Sequence, residues 1–149
     1  MKHILSLVFA VFATSAALAQ QDADAGLDGM IFSADEINLS DLMWIKRPLV
    51  VFADTPADPR FVEQMGYISE RLDALEERDV VVITDTDPEA RSDIRRELRP
   101  RGFGLVLIGK DGVIYLRKPA PWHVREIVRS IDKLPARQRE LRERPAADS

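Results

Sequence analysis

The chain has 149 residues, no cysteine, and 21 Lys and Arg against 25 Asp and Glu, for a formal net charge of −4. An acidic balance of this kind argues against a general binder of nucleic acid or of anionic membrane surfaces. The lack of cysteine excludes disulfides, thiolate nucleophiles and cysteine metal sites, and with them any thiol oxidoreductase.

Residues 1–19 have the pattern of a secretory signal. Lys2 and His3 precede the apolar run "ILSLVFAVFA", and Ala17-Leu18-Ala19 has the A-x-A form of a cleavage site. The run is shorter than the roughly 20 residues a membrane helix needs, so no stable membrane insertion is expected. Cleavage after Ala19 leaves 130 residues with 20 basic against 25 acidic side chains. A periplasmic or extracellular location follows as an expectation, and 130 residues suffice for one domain with its own core.

Residues 20–45 read as a leader with short helical turns. Ser33-Ala34-Asp35-Glu36 has capping-box spacing and predicts a short helix, and Asn38–Trp44 predicts another turn packed on the domain. The regular pattern occupies residues 46–134. Leu49–Ala53 is a continuous apolar run, as a strand buried on both faces requires. Phe61, Met65, Ile68, Leu72 and Leu75 repeat at helical spacing as far as about Glu77. Val80–Ile83 predicts the second strand, and Ala90, Ile94 and Leu98 a short helix ended by Pro100 and Gly102. Leu105–Ile108 and Val113–Leu116 predict two strands joined by a Lys110-Asp111-Gly112 hairpin turn. Val124, Ile127, Val128, Ile131 and Leu134 line a last helix. Residues 135–149 predict a charged, solvated helical tail that frays after Pro145. The order β-α-β-α-β-β-α specifies an α/β protein, a thioredoxin-like three-layer sandwich around a central mixed sheet.

The segments "RPLVVFAD", "DPRF", "RDVVVITD", "RPRGFGLVLIGKDG", "LRKPAPW" and "SIDKLPARQRE" resemble a group of bacterial secreted domains of unknown function, the P-DUDES type. That group is related to domains of vertebrate sushi-repeat and other extracellular-matrix proteins. The likeness covers about residues 46–143 and implies a thioredoxin-like fold. It carries over no catalytic residue. Compared with thioredoxins, "FADTPADPR" occupies the place of the cysteine elbow, and Gly104 stands where their cis-proline would be. A glycine does not reproduce that device.

Four features invite a functional reading, and each has a plainer one beside it. Asp54, Asp58, Asp85 and Asp87 fall at the carboxyl ends of the first two strands, the edge where open α/β sheets bind ligands. Asp54, Asp85 and Asp87 could there offer oxygen ligands to a hard divalent cation. The plainer reading is helix capping, since Asp58-Pro59 and Asp87-Pro88 each pair an N-cap residue with proline at the first helical position. Arg91, Arg95, Arg96, Arg99 and Arg101 could bind an anion, or form a solvated face neutralised by Asp93 and Glu97. An Asp54–Arg60–Arg101 ion-pair network is the plainer reading of the elbow arginines. Trp122 and His123 follow a proline loop that could recognise a partner or merely anchor the last helix. Phe103–Gly104 could leave a backbone edge open to an extended peptide, or Gly104 could relieve crowding against the elbow.

The expectation from sequence is therefore a cysteine-free, non-catalytic module for protein or peptide binding. Its candidate surface is Asp54, Thr55, Asp58, Arg60, Arg101, Gly104 and Trp122, and its partner an unknown envelope or extracellular protein. A cation- or anion-binding envelope protein is the alternative. A cysteine-independent enzyme ranks last, because no nucleophile–base pair is evident. No cofactor is expected.

Overall fold

A computed structural model describes residues 29–145. The expected signal sequence and residues 20–28 of the leader lie outside the described residues.

Five strands form one mixed sheet in the order β1-β3-β2-β4-β5. They are β1 (Ile31–Ser33), β2 (Arg47–Phe52), β3 (Val80–Asp85), β4 (Gly104–Ile108) and β5 (Ile114–Lys118). β3 runs parallel to both β1 and β2, whereas β4 is antiparallel to β2 and to β5. The helices are α1 (Leu39–Leu42), α2 (Pro59–Glu70), α3 (Leu72–Glu76), α4 (Asp93–Leu98), α5 (Val124–Asp132) and α6 (Pro135–Glu143). A short 3₁₀ turn at Pro88–Ala90 precedes α4.

The continuous apolar runs are explained by two cores. Side chains alternate across a strand, so Leu49, Val51, Val82, Leu105 and Leu107 meet Ile68, Leu75, Ile127 and Ile131 on one face. Val50, Phe52, Ile83, Val106 and Ile108 meet Leu42, Ile94 and Leu98 on the other. Each fully buried Val, Leu or Ile contributes about 1.5–3 kcal/mol relative to an exposed one.

Several sequence expectations need correction. The helix expected from Phe61 to Glu77 is broken at Arg71, whose φ of −140° and ψ of 39° are not helical. Ser33–Glu36 is a turn, not a helix start. The Glu36 carboxylate accepts from the Ser33 N–H at 2.7 Å, half of a capping box, but the preceding residues are taken up as β1 beside β3. Trp44 does not pack on the domain; it is 72% exposed. The C-terminal tail is helical over Pro135–Glu143 but not wholly solvated, because Arg137 is buried and Glu140 is paired to Arg47.

The β4–β5 connection is a tight turn closed by the Gly109 N–H donating to the Val113 carbonyl at 2.8 Å. Gly112 supplies the positive φ, 79°. Gly109 is required for a different reason: a Cβ there would collide with the Tyr115 ring and the Asp111 carboxylate. Gly109→Ala is expected to destabilise the protein by about 1–3 kcal/mol, as overpacking does. An unchanged melting temperature would show that the Tyr115 ring moves aside freely.

Candidate functional site

The elbow begins where β2 ends. The Ala53 N–H still donates to the Asp85 carbonyl at 2.9 Å, and the chain then turns out through Asp54 and Thr55, both exposed. Thr55 closes the turn, its carbonyl accepting from the Asp58 N–H at 3.2 Å and its hydroxyl from the Ala57 N–H at 3.3 Å. Asp58 caps α2 by accepting from the Arg60 N–H at 2.9 Å, with Pro59 as the first helical residue. The Arg60 guanidinium folds back on the same carboxylate at 3.0 Å and lies 5.6 Å from the Phe103 ring centroid. Those hydrogen bonds hold the Asp58 carboxyl below its ordinary range and raise Arg60.

The expected Asp54–Arg60–Arg101 network is not formed. Arg60 takes Asp58, two residues away, and Arg101 is exposed with no ion pair among the described residues. The elbow is instead pinned from below by Arg95. Its guanidinium donates to the Asp85 carboxylate at 2.8 and 3.1 Å and to the carbonyls of Ala53 and Asp85 at 3.1 Å. The Ser92 hydroxyl donates to the other Asp85 oxygen at 2.5 Å, and the Arg95 guanidinium lies 5.4 Å from the Phe52 ring centroid.

This arrangement removes Asp85 from any set of cation ligands, since both its oxygens are engaged within the chain. Asp87 caps the 3₁₀ turn, accepting from the Glu89 N–H at 3.1 Å, and Asp54 stands exposed on the elbow. Among the described residues, no group of three or more His, Asp or Glu is gathered closely enough to hold a metal ion. The five arginines of residues 91–101 share no face. Arg95 is nearly buried, Arg96 pairs with Asp93, and Arg91 and Arg99 end short helical segments in the left-handed region.

Gly104 opens β4 opposite Phe52, and β4 is paired on both sides. Among the described residues, the edge strands of the sheet are β1 and β5. A Cβ on Gly104 would make ordinary contacts at 3.9–4.0 Å, so crowding does not explain this glycine. Trp122 is partly buried against the main core, with the Lys118 ammonium 4.5 Å from its ring centroid. Its backbone is clamped by buried Gln64, which accepts from the Trp122 N–H at 2.7 Å and donates to its carbonyl at 2.9 Å. Trp122 therefore anchors the loop before α5. His123 stacks on Tyr67 at 4.0 Å between ring centroids.

Sequence reasoning missed a sizeable cavity. About 660 Å³ opens on the Val50–Phe52 face of the sheet, between α1 and α4 and over Pro48, Ile108 and Ile114. Beside it, Met43, Trp44 and Ile45 are exposed by 41%, 72% and 60%, and Val113 by 51%. Trp44 is held out with φ of 66° by its N–H donating to the Lys110 carbonyl at 2.7 Å. Gln64 had a readable signal, a polar residue on the stripe of Phe61 and Ile68. The cavity had none, because its walls come from four separate segments.

Parallel β2 and β3, an antiparallel β4–β5 hairpin, helices on both faces and an elbow at the end of β2 define a thioredoxin-like protein, here without a thiol. Solved structures agree on the fold. Plasmodium vivax 2-Cys peroxiredoxin in its reduced form matches with a TM-score of 0.56 at 18% identity, over 71% of this chain and 85% of that one. Plasmodium yoelii thioredoxin peroxidase I matches with a TM-score of 0.52 at 20% identity, over 76% and 86%. Identity this low shows shared fold alone. The chain belongs to the family described as Domain of unknown function (DUF4174), whose model matches residues 38–140. No curated protein matches it.

Proposed function

We propose that this protein is an exported binding module that keeps a thioredoxin-like scaffold and recognises a partner protein without thiol chemistry. Disulfide exchange requires a thiolate, and the chain has no cysteine. The observation that carries the reading is the cavity between α1 and α4 with its flank of exposed Met43, Trp44 and Ile45. Contiguous exposed apolar surface beside a cavity of this size is a mark of binding sites. Export is supported by the signal pattern of residues 1–19 and by the resemblance to secreted P-DUDES domains and their extracellular-matrix relatives.

A photo-crosslinking amino acid placed at position 44, and separately at positions 54 and 101, tests this in the native cell envelope. A discrete crosslinked product from position 44 is the expected result. Product from positions 54 or 101 alone would move the site to the elbow, and no product from any of the three would remove the binding module. The same material should begin at Gln20 on N-terminal sequencing; an envelope-free chain starting at Met1 would contradict export.

A further inference from the structure

We propose that the groove between α1 and α4 receives an amphipathic helix of the partner, apolar on the face that enters and carrying Lys or Arg along its flanks. This rests on the binding-module reading above and names the chemistry of the partner.

The two faces of the sheet are covered unequally. Among the described residues, one carries α2, α3 and α5, of 12, 5 and 9 residues, and the other only α1 and α4, of 4 and 6 residues. Mixed α/β sheets complete their layers with helices. The gap between α1 and α4 leaves Pro48, Ile108 and Ile114 as a floor, with Leu39, Leu42 and Ile94 on the walls. A helix laid there would extend the thin layer across the sheet, reading its apolar stripe into the groove. Met43 lies against the Gly112 turn at the mouth, and its unbranched thioether adapts to different occupants. The Trp44 backbone is held at positive φ by its hydrogen bond to Lys110, but the indole is 72% exposed, so no burial within the described residues accounts for a side chain of this size there. Contact with an occupant would supply that burial.

The charges around the groove select the sign. Its lining has three carboxylates, Asp93, Glu97 and Asp111, against one ammonium, Lys46. Asp93 is already paired with Arg96. Glu97 is exposed and has no ion pair among the described residues. Asp111 is held ionised by the Tyr115 hydroxyl, which donates to it at 2.6 Å. Glu97 therefore stands at the groove as an unpaired negative charge. Asp111 adds a second charge without an ion pair among the described residues, although its two oxygens already accept from the Val113 N–H and the Tyr115 hydroxyl. Basic side chains on an incoming flank complement both.

The test uses the mature chain carrying Trp122→Phe, so that Trp44 is the only indole emitter, and an 18-residue leucine–lysine amphipathic peptide. A blue shift of Trp44 emission on titration is expected, with binding at least tenfold tighter than for the same peptide with glutamate in place of lysine. Glu97→Lys should narrow that preference about threefold to fivefold, as one exposed charge pair does. Equal binding of the two peptides, or no Trp44 shift with either, overturns the proposal. A blue shift that follows protein concentration alone would assign the groove to a second copy of the chain and equally overturn it. Crosslinking from position 44 in the envelope without peptide binding would sink the basic helix and leave the binding module standing.

Discussion

Arg95→Ala is expected to destabilise the protein by about 3–5 kcal/mol, the cost of leaving one member of a buried ion pair uncompensated. The Asp85 side chain is 4% exposed and that of Arg95 11%, so little water is available to replace the guanidinium. The loss goes beyond one pair. Arg95 also satisfies the carbonyls of Ala53 and Asp85, where β2 and β3 end and the elbow begins. Only the Ser92 hydroxyl and the Asp87 N–H would remain on Asp85. Urea unfolding at neutral pH measures the effect. The double variant Asp85→Leu/Arg95→Met removes both charges and should recover most of the loss, because an apolar pair of similar volume avoids the desolvation cost. A single-variant loss below about 1 kcal/mol would place this pair in the class of solvated surface bridges.

Glu140→Ala is expected to have an effect of similar size, about 3 kcal/mol, at the opposite end of β2. Arg47 is 1% exposed; its guanidinium donates to Glu140 at 2.8 Å and to the Arg78 carbonyl at 2.8 Å. The Lys110 ammonium reaches the same Glu140 oxygen at 3.1 Å, and buried Arg137 approaches the other at 3.4 Å. Without Glu140, two buried guanidiniums would lose a shared acceptor, although among the described residues the Nε atoms of both Arg47 and Arg137 already have no hydrogen-bond partner. The network ties α6 to the base of the sheet. Arg78 extends it by a bidentate pair with Asp132, at 2.8 and 2.9 Å.

The same network sets an acid limit. Burial pushes the Glu140 carboxyl up, but hydrogen bonds from Arg47 and Lys110 outweigh it and leave the group below its ordinary value. Asp132 is lowered by its hydrogen bonds from Arg78, against a smaller effect of burial. A carboxyl whose folded pKa lies below its unfolded one stabilises the fold fully above the unfolded value, about 3.9 for Asp and 4.3 for Glu. That contribution disappears as pH falls through the depressed folded value, because the unfolded chain then binds the extra proton. Stability should therefore decline below about pH 4, and Glu140→Gln should flatten that decline. An unchanged pH profile in the variant would show that Glu140 contributes nothing to it.

These two clusters bracket the sheet, one under the elbow and one under α6, and neither uses the groove. Variants at the groove rim such as Glu97→Lys can accordingly be made without touching either buried network, which separates effects on binding from effects on folding.

The fold class was readable because its signals are local. Runs such as "LVVFA" and "VVVI" carry apolar residues on both faces of a strand, and only a sheet covered on both sides buries them. The caps at Asp58-Pro59 and Asp87-Pro88 are local too, with donor and acceptor two residues apart. β1 was unreadable because three residues carry no period; β3 recruits them. Which charges are inside was decided by tertiary structure. Arg95 reads like its neighbours Arg91 and Arg96 until strands β2 and β3 bring the Ala53 carbonyl and Asp85 to it. Arg47 and Glu140 are 93 residues apart in the chain. The groove follows the same rule, with walls from α1, β2, α4 and the β4–β5 hairpin. Periodicity reports which side of an element is apolar, whereas a charge's solvation and a cavity's shape depend on what other elements place against it.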